Sequence, residues 1–162
     1  MQEASAGLRR LFERGGMVRR LKAATPKEAV TRFIRAITAP LAISRDALIT
    51  AALEREDLMP TSAGRGVALP HPRSPLITDL QEQFAAVGFL EAPVDWQALD
   101  REPVHTMFLI VSASAREHLA ILSRLHFFCQ QEPFQRLLRE RACLEGLIRA
   151  LEEGERSWNE KT

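Results

Sequence analysis

Four histidines are spread along this 162-residue chain, at positions 71, 105, 118 and 126. A single histidine usually serves as a plain hydrogen-bonding group. His71 is set apart by its neighbours. Pro70 and Pro72 flank it, fixing φ on either side and restricting the preceding residue. It follows Gly64-Arg65-Gly66, a glycine-containing loop whose backbone N–H groups are expected to meet an anion. A rigidly held neutral imidazole at a loop mouth suits nucleophilic chemistry, because its lone pair is available at pH 7. His118 falls one turn into a helix opened by Ser114, where free N–H groups and the helix dipole favour anions. Its polar neighbours Arg116 and Glu117 equally suit a surface histidine. Arg55 lies in Glu54-Arg55-Glu56-Asp57. Its guanidinium can grip a phosphate or form a surface ion pair of little worth.

Other chemistries find less support. Gly64-Arg65-Gly66 lacks the pattern of a nucleotide phosphate loop. His71, His105 and His118 have no ligand spacing for zinc, and neither Cys129 nor Cys143 supports such a site. Ser62 and Ser112 lack a nucleophile-elbow context.

The elements that must position these residues follow from periodicity and capping. Leu8, Leu11 and Phe12 predict a short helix stopped by Gly15-Gly16, followed by a strand at Met17–Leu21. Thr25-Pro26-Lys27-Glu28 is a capping box, with Ala29, Val30, Phe33, Ile34 and Ile37 at helical spacing behind it. Ser44 caps a second helix, with Leu48, Ala51 and Ala52 inward, running to about Glu56. Met59–Pro75 is broken by prolines and glycines around a short apolar run at Val67–Leu69. Phe84–Leu90 and Val104–Val111 are the strongest strand candidates, separated by a polar loop, Glu91–Pro103, that carries Trp96. Ser114 opens a helix with Leu119, Leu122, Leu125, Phe128 and Cys129 on its apolar face. Helices near Pro133–Glu140 and Cys143–Glu153 complete the chain, the last ended by Gly154. The expectation is an α/β domain whose small sheet is covered by helices on both faces.

Composition bounds the function. The chain is 46% hydrophobic and 27% charged, which opposes disorder. Its length fits one domain. The net charge of +1 opposes a polybasic role, so no nucleic-acid partner is expected. No apolar run is long enough to span a bilayer, so no membrane insertion is expected. Cysteine usage and the lack of a signal-like N-terminus suit a cytoplasmic chain. The average conceals a split: residues 1–35 sum to +6 and residues 36–162 to −5. Scattered solvated charge and a contact surface for an acidic partner both fit that split.

The stretches Ala52–Glu56 and Thr61-Ser62-Ala63-Gly64-Arg65-Gly66-Val67-Ala68-Leu69-Pro70-His71 carry a resemblance. So do Pro103–Val111 and Glu117–Ser123. Together they are similar to the type-2 IIA domains of the bacterial phosphoenolpyruvate-dependent phosphotransferase system, which include the fructose/mannitol and nitrogen-regulatory IIA proteins. The resemblance covers about Gly16–Glu153. It implies a three-layer α/β/α fold with a mixed, roughly five-stranded sheet. It divides the chain into a short extension at 1–16, the IIA domain at 17–153 and a polar tail at 154–162. It implies that His71 is the phosphorylated histidine, with Nε2 as the modified atom, that His118 is the second active-site histidine, and that Arg55 lies beside them. Thr61, Ala63, Gly64, Arg65 and Gly66 would form the phosphate-positioning loop.

On this reading an HPr-type phosphocarrier protein supplies the phosphoryl group, and no metal or cofactor is called for. The chain has no room for a IIB domain or a membrane-spanning companion, which favours a free-standing, regulatory role. Alternatives are a sugar-transport IIA component passing phosphate to a separate IIB, or an interaction domain on the same fold that is never phosphorylated. Ser62 and Ala63 stand where the family usually has Gly and Ile, and Pro72-Arg73 follow the histidine where Gly is common. These departures fit a regulatory branch. Arg55, Arg65 and Arg73 are expected to make the surroundings of His71 positive for carrier docking.

Overall fold

A computed structural model of the chain describes residues 7–161. Helix α1 (Leu8–Gly15) leads into strand β1 (Met17–Leu21), then helices α2 (Pro26–Ala36) and α3 (Arg45–Leu58). Two short strands follow, β2 (Ser62–Gly64) and β3 (Val67–Ala68), and after a single 3-10 turn come β4 (Phe84–Val94) and β5 (Val104–Val111). Helices α4 (Ala115–Cys129), α5 (Glu132–Arg139) and α6 (Leu144–Lys161) close the described chain.

Side-chain alternation along β4 and β5 gives one sheet two apolar faces. Ala86, Leu90, Met107, Leu109 and Val111 pack beneath α2 and α3. Ala85, Val87, Phe89, Phe108 and Ile110 pack beneath α1, α4, α5 and α6. The result is a three-layer α/β/α fold around a five-stranded sheet of order β1-β4-β5-β3-β2. The sheet is mixed: β1/β4 and β3/β5 pair parallel, while β4/β5 and β2/β3 pair antiparallel. Gly88 lets α2 approach β4 closely, since a Cβ there would meet the Phe33 ring at 2.8 Å.

The predicted caps form. Thr25, Ser44 and Ser114 accept bonds from the Glu28, Ala47 and Glu117 amides at 3.2, 3.0 and 3.1 Å. Four expectations are corrected. Strand β2 lies where an irregular loop was predicted. Ser-Ala-Gly carries no β-forming side chain, and the strand exists through its pairing with β3. Strand β4 continues to Val94, which pairs with Val104 beyond an irregularity after Phe89. Leu119 is 62% exposed and Ile121 takes the inward place on α4. Helix α6 runs through Gly154. That glycine is small because the Phe128 ring occupies the space a Cβ would need, so it is a packing residue and not a stop.

Helix α1 belongs to the sequence segment read as an extension, of which residues 1–6 lie outside those described. Leu8, Leu11 and Phe12 are nonetheless within 2% of full burial, and the Phe12 ring meets Phe108 edge-on at 5.7 Å. In the expected tail, Trp158 packs against Phe127 at 5.0 Å and Glu155 pairs with Arg124 at 2.9 Å. The charge split is matched within the fold. Arg9 pairs with Glu152, Arg14 with Glu82, Lys27 with Asp57 and Arg35 with Asp46.

Candidate functional site

Backbone bonds to both sheet neighbours hold the segment after β3. The Leu69 amide donates to Thr61 O at 3.0 Å, and the Ile110 amide donates to Pro70 O at 3.3 Å. His71 follows directly and is 7% exposed. Its Nδ1 lies 2.7 Å from Leu69 O. A carbonyl oxygen only accepts, so Nδ1 carries the hydrogen and Nε2 keeps the lone pair. Burial lowers the His71 pKa from its ordinary value, opposed by the Leu69 bond and aided by the charge of Arg55. The ring is therefore a neutral imidazole at pH 7, with its free lone pair on Nε2.

Helix α4 brings His118 against it. The two rings lie 4.5 Å apart, centre to centre, with planes inclined at 42°. Burial, then His71 and Arg55, push the His118 pKa down to about 4. A neutral His118 offers one N–H to an incoming oxygen. Arg55, on the last turns of α3, donates to Met59 O at 2.8 Å and is near enough to depress both histidines. Arg55 and His71 line a cleft of about 460 Å³ with Thr61, Ser62 and Ala63. His118 lines a smaller groove of about 220 Å³ with Pro72, Arg73 and Ser112.

The structure thus brings together His71, His118, Arg55, Thr61 and Ala63. The hairpin tip is engaged elsewhere. The Arg65 amide donates to Asp100 Oδ2 at 2.7 Å, and its guanidinium reaches Gln130 O and Glu132. Gly64 and Gly66 hold φ of 83° and 81° to make this turn. His105 lies over Gly66, with Nδ1 2.7 Å from Thr106 Oγ1, and does not line the cleft with His71. The Arg65 N–H is bonded to a carboxylate, and the Arg65 charge is paired with Glu132.

Some lining residues went unnoticed in the sequence. Leu122, Ser123 and His126 border the cleft on α4. The spacing of four residues from His118 to Leu122 and on to His126 was the available signal. Glu56 read only as an acid beside Arg55. It is 9% exposed and accepts from Thr61 N at 2.9 Å, Thr61 Oγ1 at 2.6 Å and Trp96 Nε1 at 2.6 Å. Among the described residues, no group of three or more His, Cys, Asp or Glu side chains is arranged to hold a metal ion. No helix there is long and apolar enough to cross a membrane.

Comparison with known proteins bears on this geometry. The family model described as "Phosphoenolpyruvate-dependent sugar phosphotransferase system, EIIA 2" matches residues 10–154. A nitrogen regulatory protein of Pseudomonas aeruginosa is 36% identical over 95 residues, 57% of this chain and 60% of that protein. The fructose-specific EIIA component of Haloferax volcanii is 30% identical over 118 residues, 70% of this chain and 75% of that protein. The crystal structure of nitrogen regulatory protein IIA-Ntr from Neisseria meningitidis superposes with a TM-score of 0.72 at 25% identity, covering 83% of this chain and 92% of that one.

Proposed function

The chain belongs to the EIIA 2 family of the phosphoenolpyruvate-dependent sugar phosphotransferase system, and from that premise we propose that it accepts a phosphoryl group on His71 Nε2 from an HPr-type phosphocarrier. One observation carries the assignment: the Leu69 carbonyl takes Nδ1–H, leaving the lone pair of a buried, neutral imidazole on Nε2. In the transfer, Nε2 forms a bond to phosphorus as the donor's P–N bond breaks, its electron pair returning to the donor imidazole. The phosphorylated ring gains positive charge, which the Nδ1–H bond to Leu69 O stabilises. Negative charge on the equatorial oxygens is met by donors, and positioning does most of the work. Arg55 and His118 are those donors, with Thr61 and Ala63 shaping the cleft wall.

The role is regulatory, as the 36% identity to a nitrogen regulatory protein supports. A second reading, transport with onward transfer to a separate IIB component, draws on the Haloferax volcanii relative. The site of action is the cytoplasm. Incubation with phosphoenolpyruvate, Enzyme I and HPr is expected to label the protein. His71→Ala is expected to lose all label, and Arg55→Ala and His118→Ala to slow labelling on the order of 10²-fold each. Full labelling of His71→Ala overturns the assignment. Rapid onward transfer to a IIB component would favour transport over regulation.

A further inference from the structure

We propose that Glu56 is a positioning residue for phosphoryl acceptance, acting on His71 through Thr61 and Leu69. This rests on His71 as the acceptor. A continuous path of hydrogen bonds joins the two residues. Both Glu56 carboxylate oxygens bind Thr61, one through its amide at 2.9 Å and the other through its hydroxyl at 2.6 Å. Thr61 O accepts the Leu69 amide at 3.0 Å. Leu69 O then accepts Nδ1–H of His71 at 2.7 Å. Each link sets the place of the next backbone group, and the last fixes both ring orientation and tautomer.

Glu56 also sits beside Arg55 at the end of α3. One helix end therefore holds the Arg55 guanidinium at the cleft and, through Thr61, the segment that leads to His71. The side chain is 9% exposed. A buried carboxylate is costly to desolvate and is retained only where its bonds are made. Here two hydrogen bonds go to Thr61, the residue that begins the path to His71, and one comes from Trp96.

The test compares Glu56→Ala, Glu56→Gln and Trp96→Phe at a temperature where each is folded. Glutamine can still accept from the Thr61 amide and can donate to its hydroxyl, so it preserves the path. Trp96→Phe removes a different bond to the same carboxylate and leaves the path intact. The readouts are the labelling rate at saturating phospho-HPr and the ¹⁵N shifts of the His71 ring. Glu56→Ala is expected to slow labelling on the order of 10²-fold, the size of an ångström-scale misplacement. It is also expected to turn a pure Nδ1–H tautomer into a mixture. Glu56→Gln restores both readouts, and Trp96→Phe moves neither. A full rate with unchanged tautomer in Glu56→Ala overturns the proposal, and so does an equal loss in Trp96→Phe, which would mean general loosening. If Glu56→Ala does not fold, Thr61→Val removes only the hydroxyl link. It is then expected to shift the tautomer the same way, and an unmoved ring overturns the proposal. Absence of label on the wild-type protein would refute the acceptor assignment itself, while the ring shifts still decide whether Glu56 orients His71.

Discussion

Truncating Phe12 to alanine tests whether α1 is part of the cooperative fold. The ring is 2% exposed, shares a core cluster with Phe108, Leu125 and Leu151, and meets Phe108 edge-on at 5.7 Å with planes at 84°. Removing a buried phenyl ring costs about 3–5 kcal/mol, from lost transfer energy and the cavity left behind. The edge-on pair accounts for about 1 kcal/mol of this. Neighbouring Leu8 and Leu11 are themselves held by the α6 contact, through Glu155 bonded to the Leu8 amide at 3.1 Å, so collapse into the cavity is limited. The expected loss is about 4 kcal/mol, a large share of the ~5–15 kcal/mol that stabilises a typical domain. For a chain of this size that is a fall in Tm of about 10 °C. Urea unfolding followed by circular dichroism and by fluorescence, with Trp96 buried in the core beneath α2 and α3, gives the measurement. Arg10→Ala, on the exposed face of the same helix, is the control and is expected to change stability by less than ~0.5 kcal/mol. A loss below ~1 kcal/mol for Phe12→Ala would refute the argument and return α1 to the status of an appendage.

Protonation of the site histidines gives a second prediction. The His71 and His118 pKa values are both lowered in the fold, the latter to about 4 from 6.5. The unfolded chain therefore binds protons first, and stability falls as pH drops from about 6.5 towards 4. Allowing for solvent screening of the half-buried His118, its part is on the order of 1 kcal/mol. Urea midpoints of His118→Gln should fall less over that range than those of the wild type, and identical pH profiles would refute the effect. Carrier docking separates two arginines. Arg73 is exposed beside the His118 groove, whereas Arg65 is tied to Glu132. Arg73→Glu is expected to raise the apparent KM for phospho-HPr several-fold at low salt, fading as salt screens the charges, with Arg65→Glu near wild type. Equal effects in titrations of labelling rate against carrier would place Arg65 back at the interface.

Local chemistry accounts for what was legible in the sequence. The caps at Thr25, Ser44 and Ser114 and the bounds of β5 depend on residues a few positions apart. So does the constraint on His71 between two prolines, because proline acts on φ without tertiary help. The roles assigned to His71, His118 and Arg55 came with the resemblance carried by short motifs around them. Distant closure decided the rest. Glu56 gained its bond from Trp96, far along the chain, only when packing folded the indole against it. Gly154 resembled a helix stop, yet its size serves the Phe128 ring on another helix. The ion-pair partner of Arg65 was set only when α5 presented Glu132 to it. The basic N-terminal segment and the acidic remainder were likewise separate facts in one dimension. The charge of a residue is written in the chain, but its partner is set by where packing brings a second charge. Here Arg9, Arg14, Lys27 and Arg35 meet acids drawn from across the acidic part of the chain.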